Sequence, residues 1–173
     1  MLGDDRLRAR SAEIEYFDDP PLARGLDVLA ATLEDFRRRH GFGRAIAAPQ
    51  IGLPIRAIAV NLGRGTFFVI NPVVTWRSLD TFTMWDDCMS FPDRLVRLRR
   101  HESVSLEYAD REGKPNDWRE LTRPESELLQ HEIDHLDGIL AVDRALGSES
   151  IVRRDRFVAQ HEQYAALVDY TIY

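Results

Sequence analysis

Residues 131–135 have the clearest chemistry in this chain, because their sequence, HEIDH, combines two histidines with a glutamate. Histidines four residues apart lie on the same face of an α-helix, so both imidazoles can bind a single metal ion. Glu132 would then lie beside that metal, where it can accept a proton from a bound water molecule. The spacing of His131, Glu132 and His135 therefore predicts metal-assisted hydrolysis.

A catalytic metal site of this kind needs a third protein ligand and an open fourth position, and the sequence offers three patterns. The first has a further histidine three residues after Gly138, but Ala141 is at that position. The second uses a later carboxylate, for which Glu149 and Glu162 are candidates. In the third, the thiolate of Cys88 joins the two imidazoles and leaves one position for water.

The residues around HEIDH predict a helix with a defined start and end. Thr122 and Glu125 have the spacing of a capping box, and Pro124 falls in the first turn, where a missing N–H is tolerated. Gly138 is suited to the end of the helix. The apolar residues of the same segment are Leu128, Leu129, Ile133 and Leu136. We therefore expect the two histidines to lie partly inside the core rather than on the surface.

Hydrophobic patterns in the rest of the chain predict a mixture of helices and strands. Apolar residues recur at helical spacing over 26–36, and Gly41 follows as a stop signal. Strands are predicted at 55–61, 66–71, 73–76 and 104–108. The charged segment 148–167 predicts a third, peripheral helix, and 168–173 is β-prone. Because strands and helices do not alternate regularly, the predicted class is α+β.

Composition limits the broad class of protein. A chain of 173 residues with 44% apolar and 30% charged residues is typical of a globular protein, and we assign 1–173 to a single domain. The net charge of −6 argues against direct binding to nucleic acid or to an anionic membrane. The charged N-terminal stretch lacks the pattern of a secretory signal, and no apolar run is long enough to span a bilayer. Cys88 is the only cysteine, so no intrachain disulfide is expected, and we predict a cytoplasmic protein.

Three segments resemble the ordered sequence motifs of the peptide deformylases. The segment 43–52, GRAIAAPQIG, is similar to the first motif, and 86–90, DDCMS, resembles the second, which is usually EGCLS. Residues 130–135, QHEIDH, match the third motif, QHExDH, in full. The resemblance covers 1–146 and leaves 147–173 as a C-terminal extension. It implies an α+β fold in which mixed or antiparallel sheets pack around a central helix that carries HEIDH.

The resemblance implies a metal centre with defined ligands. One divalent ion would be held by Cys88, His131 and His135, with Fe²⁺ as the usual metal and Zn²⁺ or Ni²⁺ as substitutes. Metal-bound imidazoles generally need an acceptor for their second ring N–H. Asp134 is therefore expected either to accept such a hydrogen bond or, as an ordinary helix charge, to face solvent.

The resemblance also implies the reaction, which is the hydrolysis of an N-formylmethionyl peptide to formate and a free amine. Glu132 would act first as general base and then as general acid. The side-chain amide of Gln50 and the backbone N–H of Met89 would stabilise the oxyanion of the tetrahedral intermediate. A metal-binding module without turnover is an alternative, but metal binding alone requires neither Glu132 nor Gln50.

The resemblance places the substrate, as an extended peptide, beside the first two motifs and the start of the third. The residues that would bind it are Gly43, Arg44, Ala45, Asp86, Asp87, Glu127 and Leu128. Unusual residues for the family are Arg44, Ala45, Asp86, Asp87 and Glu127. Arg44 and Asp87 add charge where the family usually has an apolar residue and a glycine, and Glu127 stands where it often has an apolar residue or an arginine. Asp86 replaces a usual glutamate, and Ala45 replaces a usual glycine.

The departures have two interpretations. Taken singly, Asp86 is expected to pair with Arg100, and both Arg44 and Glu127 are expected to point to water. Taken together with Asp87, the charges would disfavour a methionine side chain. They then predict weak activity on formyl-methionyl peptides and a better, more polar N-formyl substrate, which is either a small molecule or a modified peptide.

Overall fold

Two antiparallel sheets contact the helix that carries HEIDH in this computed structural model, which describes residues 5–172. The strands are, in chain order, β1 (Ala45–Ala47), β2 (Ala57–Val60), β3 (Phe67–Arg77), β4 (Thr81–Asp87), β5 (Arg94–His101), β6 (Val104–Ala109), β7 (Pro115–Trp118) and β8 (Ile151–Arg153). One sheet has the order β1-β2-β3-β6-β7, and the other has the order β4-β5-β8. The predicted α+β class is confirmed.

The α-helices of the described residues are α1 (Pro20–His40), α2 (Arg123–Leu136), α3 (Arg154–Ala159) and α4 (His161–Ala165). Helix α1 confirms the prediction over 26–36. It ends at Gly41, whose φ of 76° favours glycine and whose N–H donates to the carbonyl oxygen of Arg37 at 2.8 Å. Over residues 5–172, no helix combines the length and the hydrophobicity that crossing a membrane would require.

Strand β2 is buried on both faces, because α1 and α2 cover opposite sides of the larger sheet. Ala57 and Ala59 pack into the cluster on the α1 side, whereas Ile58 and Val60 pack into the cluster on the α2 side. The helix residues in these clusters include Leu26, Leu29 and Leu33 of α1 and Leu129, Ile133 and Leu136 of α2. The apolar face of α2 is thereby fixed on the larger sheet, which leaves another face of the helix for the histidines.

Both ends of α2 are held by specific hydrogen bonds. At the start, the Glu125 carboxylate accepts from the Thr122 N–H at 3.0 Å and from the Thr122 hydroxyl at 2.7 Å. At the end, the carbonyl oxygen of Leu136 accepts from the Ser11 N–H at 2.8 Å. Arg56 donates to Asp137 at 2.7 Å. These contacts confirm the predicted bounds of the helix and set the position of its histidines along the helix axis.

The predicted helix over 148–167 is wrong. The segment forms a short 3-10 turn at Ser148–Ser150, then β8, and then the two short helices α3 and α4. Val152 pairs with Leu95 of β5 and packs with Trp85 and Phe157 in a small core cluster. A β-branched residue that can be buried on a sheet favours a strand over a charged helix. The sequence analysis also missed the hairpin of β4 and β5. Of the β-prone end, residue 173 lies outside the described residues, and within 168–172 only Tyr170 forms an isolated bridge, to Met84.

Gly138 is a point at which the fold tolerates no side chain. Its φ is 73°, and a Cβ atom there would lie 2.3 Å from the carbonyl oxygen of Arg8. We expect Gly138→Ala to lower the free energy of unfolding by more than the about 1–3 kcal/mol of a strained backbone alone, because the N-terminal segment must also move. Urea denaturation measures the loss. Gly63→Ala is the control, since its φ is 96° and a Cβ atom would meet no atom within 4 Å; equal losses in the two variants would contradict the contact.

Candidate active site

One thiol and two imidazoles converge between β4 and α2. The Sγ atom of Cys88, the residue after β4, lies 3.1 Å from Nε2 of His135, which lies 3.2 Å from Nε2 of His131. All three ligand atoms are buried and lie within 4.8 Å of one another. Two donor atoms that bind one tetrahedral metal ion at about 2.0–2.3 Å lie about 3.3–3.6 Å from each other. The observed distances of 3.1 and 3.2 Å are close to these values, so the three atoms suit one ion. The structure therefore brings together the third of the predicted ligand patterns.

The other two ligand patterns are not formed. Glu149 and Glu162 are exposed and lie outside this group of donor atoms. Ala141 is buried in a hydrophobic cluster together with Cys88. Among the described residues, the Cys/His/His group is the one arrangement of three potential ligands close enough to hold a metal ion.

The imidazole of His131 is held by a buried chain of charges. Its Nδ1 atom lies 2.9 Å from the Asp86 carboxylate, which accepts a second hydrogen bond from Arg100 at 3.0 Å. Burial alone would raise the pKa of Asp86, but His131 and Arg100 hold this pKa at about 2. Asp86 therefore stays ionised and orients the ring of His131, and its predicted pairing with Arg100 is confirmed.

Both predictions for Asp134, a hydrogen bond to an imidazole or a position facing solvent, are wrong. It is buried, so it does not face solvent, and its carboxylate binds Arg100 and Arg144 rather than an imidazole. The reason is its direction on α2, which turns the carboxylate toward β5 and the segment after the helix. The Nδ1 atom of His135 has no hydrogen-bond partner among the described residues. A carboxylate therefore orients the ring of His131, whereas no such hydrogen bond orients the ring of His135.

Glu132 and Gln50 flank the group of donor atoms. The carboxylate of Glu132 is buried, and its Oε2 atom accepts no hydrogen bond from any described residue. Burial raises the pKa of Glu132 to about 7, which suits a group that takes up and returns a proton near neutral pH. Gln50 lies in the 3-10 turn after β1. Its Oε1 accepts from the Ala47 N–H at 2.8 Å, which turns its Nε2 to within 3.8 Å of the Cys88 sulfur.

A cavity of about 830 Å³ opens onto this group. Its walls include the residues predicted to bind substrate, which are Gly43, Arg44, Ala45, Asp86, Asp87, Glu127 and Leu128. Gln50, Met89 and Glu132 also line it. The residues predicted to bind substrate therefore all line this cavity.

The sequence analysis missed the cavity residues that α1 and the C-terminal segment provide. These include Phe36, Arg37, His40, Arg154, Tyr170 and Ile172. The end of the chain is tied to β4, since Asp169 accepts hydrogen bonds from the N–H and hydroxyl of Thr83 at 2.9 and 2.8 Å. The β-prone pattern of 168–173 was the available signal, but it did not indicate which strand the segment joins.

Two ion pairs line the cavity, and they correct the expectation that Arg44 and Glu127 point to water. Arg44 binds Glu127, whose side chain is only 3% exposed. Asp87 binds Arg154 at 2.8 Å. In each pair a residue unusual for its motif is neutralised by a partner, so that neither Arg44 nor Asp87 presents an unpaired charge to the cavity.

A buried glutamate next to a thiol and two helix-borne imidazoles, at the base of an accessible cavity, defines a metal-dependent hydrolase. Comparison with known proteins gives the family. Residues 1–150 match the model of the polypeptide deformylase family, and the chain belongs to that family. The resemblance found in the three sequence motifs is thereby confirmed.

Similar proteins support this assignment over most of the chain. A peptide deformylase of Pelotomaculum thermopropionicum is 34% identical over 89% of this chain and 94% of its own length. That of Thermotoga neapolitana is 31% identical over 91% and 92%. The crystal structure of a peptide deformylase from Legionella pneumophila superposes with a TM-score of 0.75 at 29% identity and covers 96% of this chain and 93% of its own. The chain is thus a metal-dependent hydrolase that removes the formyl group from N-formylmethionyl peptides.

The chain of charges behind His131 predicts a difference between two neighbouring aspartates. We expect Asp86→Asn to weaken metal binding about 10- to 100-fold, because the ring of His131 loses its charged acceptor. Asp87→Asn should leave the affinity unchanged, since Asp87 binds Arg154 and no imidazole. Competition with a chelator of known affinity measures both. Equal effects of the two substitutions would contradict an orienting role for Asp86.

Proposed function

We propose that Cys88, His131 and His135 hold one divalent metal ion at the catalytic centre. The observation that carries this proposal is the convergence of one sulfur and two Nε2 atoms within 4.8 Å, beside an unpartnered glutamate oxygen. A thiolate and two neutral imidazoles leave room for an exchangeable ligand, as a catalytic rather than a structural site requires. When bound, such an ion lowers the pKa of a water ligand and polarises a carbonyl oxygen.

The proposed native metal is Fe²⁺. This choice rests on the resemblance to the deformylase motifs, because the same ligands also suit Zn²⁺ and Ni²⁺. We expect protein that is purified without oxygen and loaded with Fe²⁺ to release formate faster than the Zn²⁺ form. Elemental analysis and formate assays on matched samples measure this. A Zn²⁺ form that is at least as active as the Fe²⁺ form would contradict the choice of iron.

In the proposed reaction, Glu132 moves the proton. Its carboxylate takes a proton from the attacking water and later delivers it to the nitrogen of the leaving amine, as the C–O bond forms and the C–N bond of the formamide breaks. Formate and the free amine are the products. Burial of Glu132 and its pKa of about 7 support this role, since the same group must both accept and donate.

Gln50 and Met89 are proposed to stabilise the oxygen that gains charge during attack. The Gln50 amide is held with its carbonyl on the Ala47 N–H, and its NH₂ group points to the Cys88 sulfur and the Ser90 hydroxyl, 3.8 and 3.3 Å away. This supports the role because it places an N–H donor beside the proposed metal ligands. Met89 follows Cys88 directly and lines the same cavity, which supports a role for its backbone N–H. Donors held in place before the reaction lower the barrier without reorganisation.

The remaining cavity residues are proposed to divide into two groups. Asp86 is assigned a positioning role, because its carboxylate already binds His131 and Arg100. Contact with the substrate is assigned to the others, which are Gly43, Arg44, Ala45, Asp87, Glu127 and Leu128. We further propose that the protein works in the cytoplasm, where the family acts in protein biosynthesis.

A metal-binding module without turnover is the alternative, and Glu132 separates the two functions. We expect Glu132→Gln to reduce formate release from an N-formyl peptide by about 10²–10⁴-fold and to leave the metal content unchanged. Glu162 is an exposed glutamate on α4, so Glu162→Gln is the matched control and should retain full activity. If wild type and Glu132→Gln release formate at the same rate, the hydrolytic function is contradicted.

A further inference from the structure

The segment after α4 adds an aromatic and an aliphatic side chain to the cavity. Tyr170 and Ile172 are half-buried, line the cavity and pack against the core cluster that contains Cys88. They lie outside the three sequence motifs, the last of which ends at His135. The fold therefore brings a distant part of the chain into the cavity that opens onto the proposed metal centre.

The backbone on both sides of Tyr170 is held on β4. Asp169 accepts hydrogen bonds from the N–H and hydroxyl of Thr83 at 2.9 and 2.8 Å. The N–H of Tyr170 donates to the carbonyl oxygen of Thr83 at 3.1 Å, and Tyr170 forms a parallel bridge with Met84. Because β4 is an edge strand of the smaller sheet, the segment pairs with the edge that the sheet leaves open.

The ring of Tyr170 is positioned by two elements. It packs edge-to-face on the ring of Phe82 in β4, with the ring centroids 5.4 Å apart. The guanidinium of Arg123, at the start of α2, lies 5.5 Å from the centroid of the Tyr170 ring and 5.2 Å from that of Phe82. Both contacts have attractive geometry, so the ring forms a defined part of the cavity wall between β4 and α2.

Two observations relate this ring to the metal ligands. Tyr170 pairs with Met84, which is about 7 Å along β4 from Asp86, and the Asp86 carboxylate lies 2.9 Å from Nδ1 of His131. Burial and the nearby Glu127 carboxylate raise the pKa of Tyr170, and Glu127 is one helical turn before His131 on α2. A substrate side chain that extends from the metal centre between β4 and α2 therefore meets the Tyr170 ring.

The surface that this segment provides fits a methionine side chain. Burial of an unbranched thioether is favourable, and its sulfur makes attractive contacts with aromatic rings. Arg44 and Glu127 form an ion pair in the same cavity and offer such a side chain little apolar contact. Tyr170 and Ile172 supply apolar contact from the other end of the chain.

We propose that Tyr170 is a specificity-determining residue, whose ring contacts the first side chain of an N-formylmethionyl substrate. Ile172 extends the same apolar surface. Asp169 is a positioning residue, because its hydrogen bonds to Thr83 hold the ring at the cavity. The inference rests on the proposed function, since it concerns the substrate of the same metal centre.

Three formyl tripeptides that differ only in the first residue test the proposal on the Fe²⁺-loaded protein. The first residues are methionine, norleucine and alanine, and formate release gives kcat and KM for each. We expect Tyr170→Ala to lower kcat/KM about 10-fold on formyl-methionine and formyl-norleucine, and less than about 2-fold on formyl-alanine, whose side chain is too short to reach the ring. The loss should appear in KM with kcat unchanged, because the contact is the same in the ground state and the transition state.

Three further variants separate the ring contact from other causes. Tyr170→Phe keeps the ring and should restore the methionine preference that Tyr170→Ala loses. Asp169→Ala removes the bonds to Thr83 and should lower the preference in the same direction as Tyr170→Ala. Tyr16→Ala is the matched control, since Tyr16 is 72% exposed and does not line the cavity, and it should leave all constants unchanged.

The outcomes separate this inference from the function beneath it. A folded Tyr170→Ala protein that loses activity equally on the three substrates, or on none, overturns the role of the ring and leaves deformylation by the wild type intact. If Tyr170→Ala does not fold, Asp169→Ala decides, and an unchanged methionine preference in that variant overturns the inference. Absence of formate from all three substrates with metal-loaded wild type overturns the proposed function itself.

Discussion

The active site depends on one contact, that between the Cys88 sulfur and the two imidazoles of α2. A sulfur at the end of a strand lies 3.1 Å from a ring that is carried by a helix 47 residues later in the chain. This proximity requires α2 to be fixed in rotation as well as in position. Packing of its apolar face on the larger sheet fixes the rotation of α2 about its own axis. The contacts of Thr122, Leu136 and Asp137 fix its two ends.

Burial of charged side chains destabilises this arrangement, and the fold offsets the loss of hydration by pairing buried carboxylates with arginines. Asp86 and Arg100, on the paired strands β4 and β5, bind each other at 3.0 Å, and Asp134 of α2 binds the same guanidinium. A buried ion pair stabilises little by itself, but removal of one partner leaves an uncompensated charge. The chain of charges therefore ties α2 to the smaller sheet in one defined orientation. The Arg44–Glu127 pair follows the same principle in the cavity, where one of its members remains accessible.

Local signals in the sequence were sufficient for the helix, the chemistry and the family, but not for the partners of the side chains. The capping box of Thr122 and Glu125 and the spacing of the histidines predicted α2 because each depends on neighbours within one or two turns. The path of the C-terminal segment could not be predicted, because it depends on Val152 meeting β5 and Asp169 meeting β4. The burial of Asp134 and Glu127 was missed for the same reason, since their partners are distant in sequence.

The most direct test of this account is X-ray absorption spectroscopy at the metal edge of the Fe²⁺-loaded protein, with Cys88→Ser as its comparison. We expect one sulfur at about 2.3 Å and two imidazole nitrogens in the first shell, with the sulfur contribution lost in the variant. A first shell of nitrogen and oxygen only in the wild-type protein would contradict the central claim that Cys88 and the two histidines share one ion.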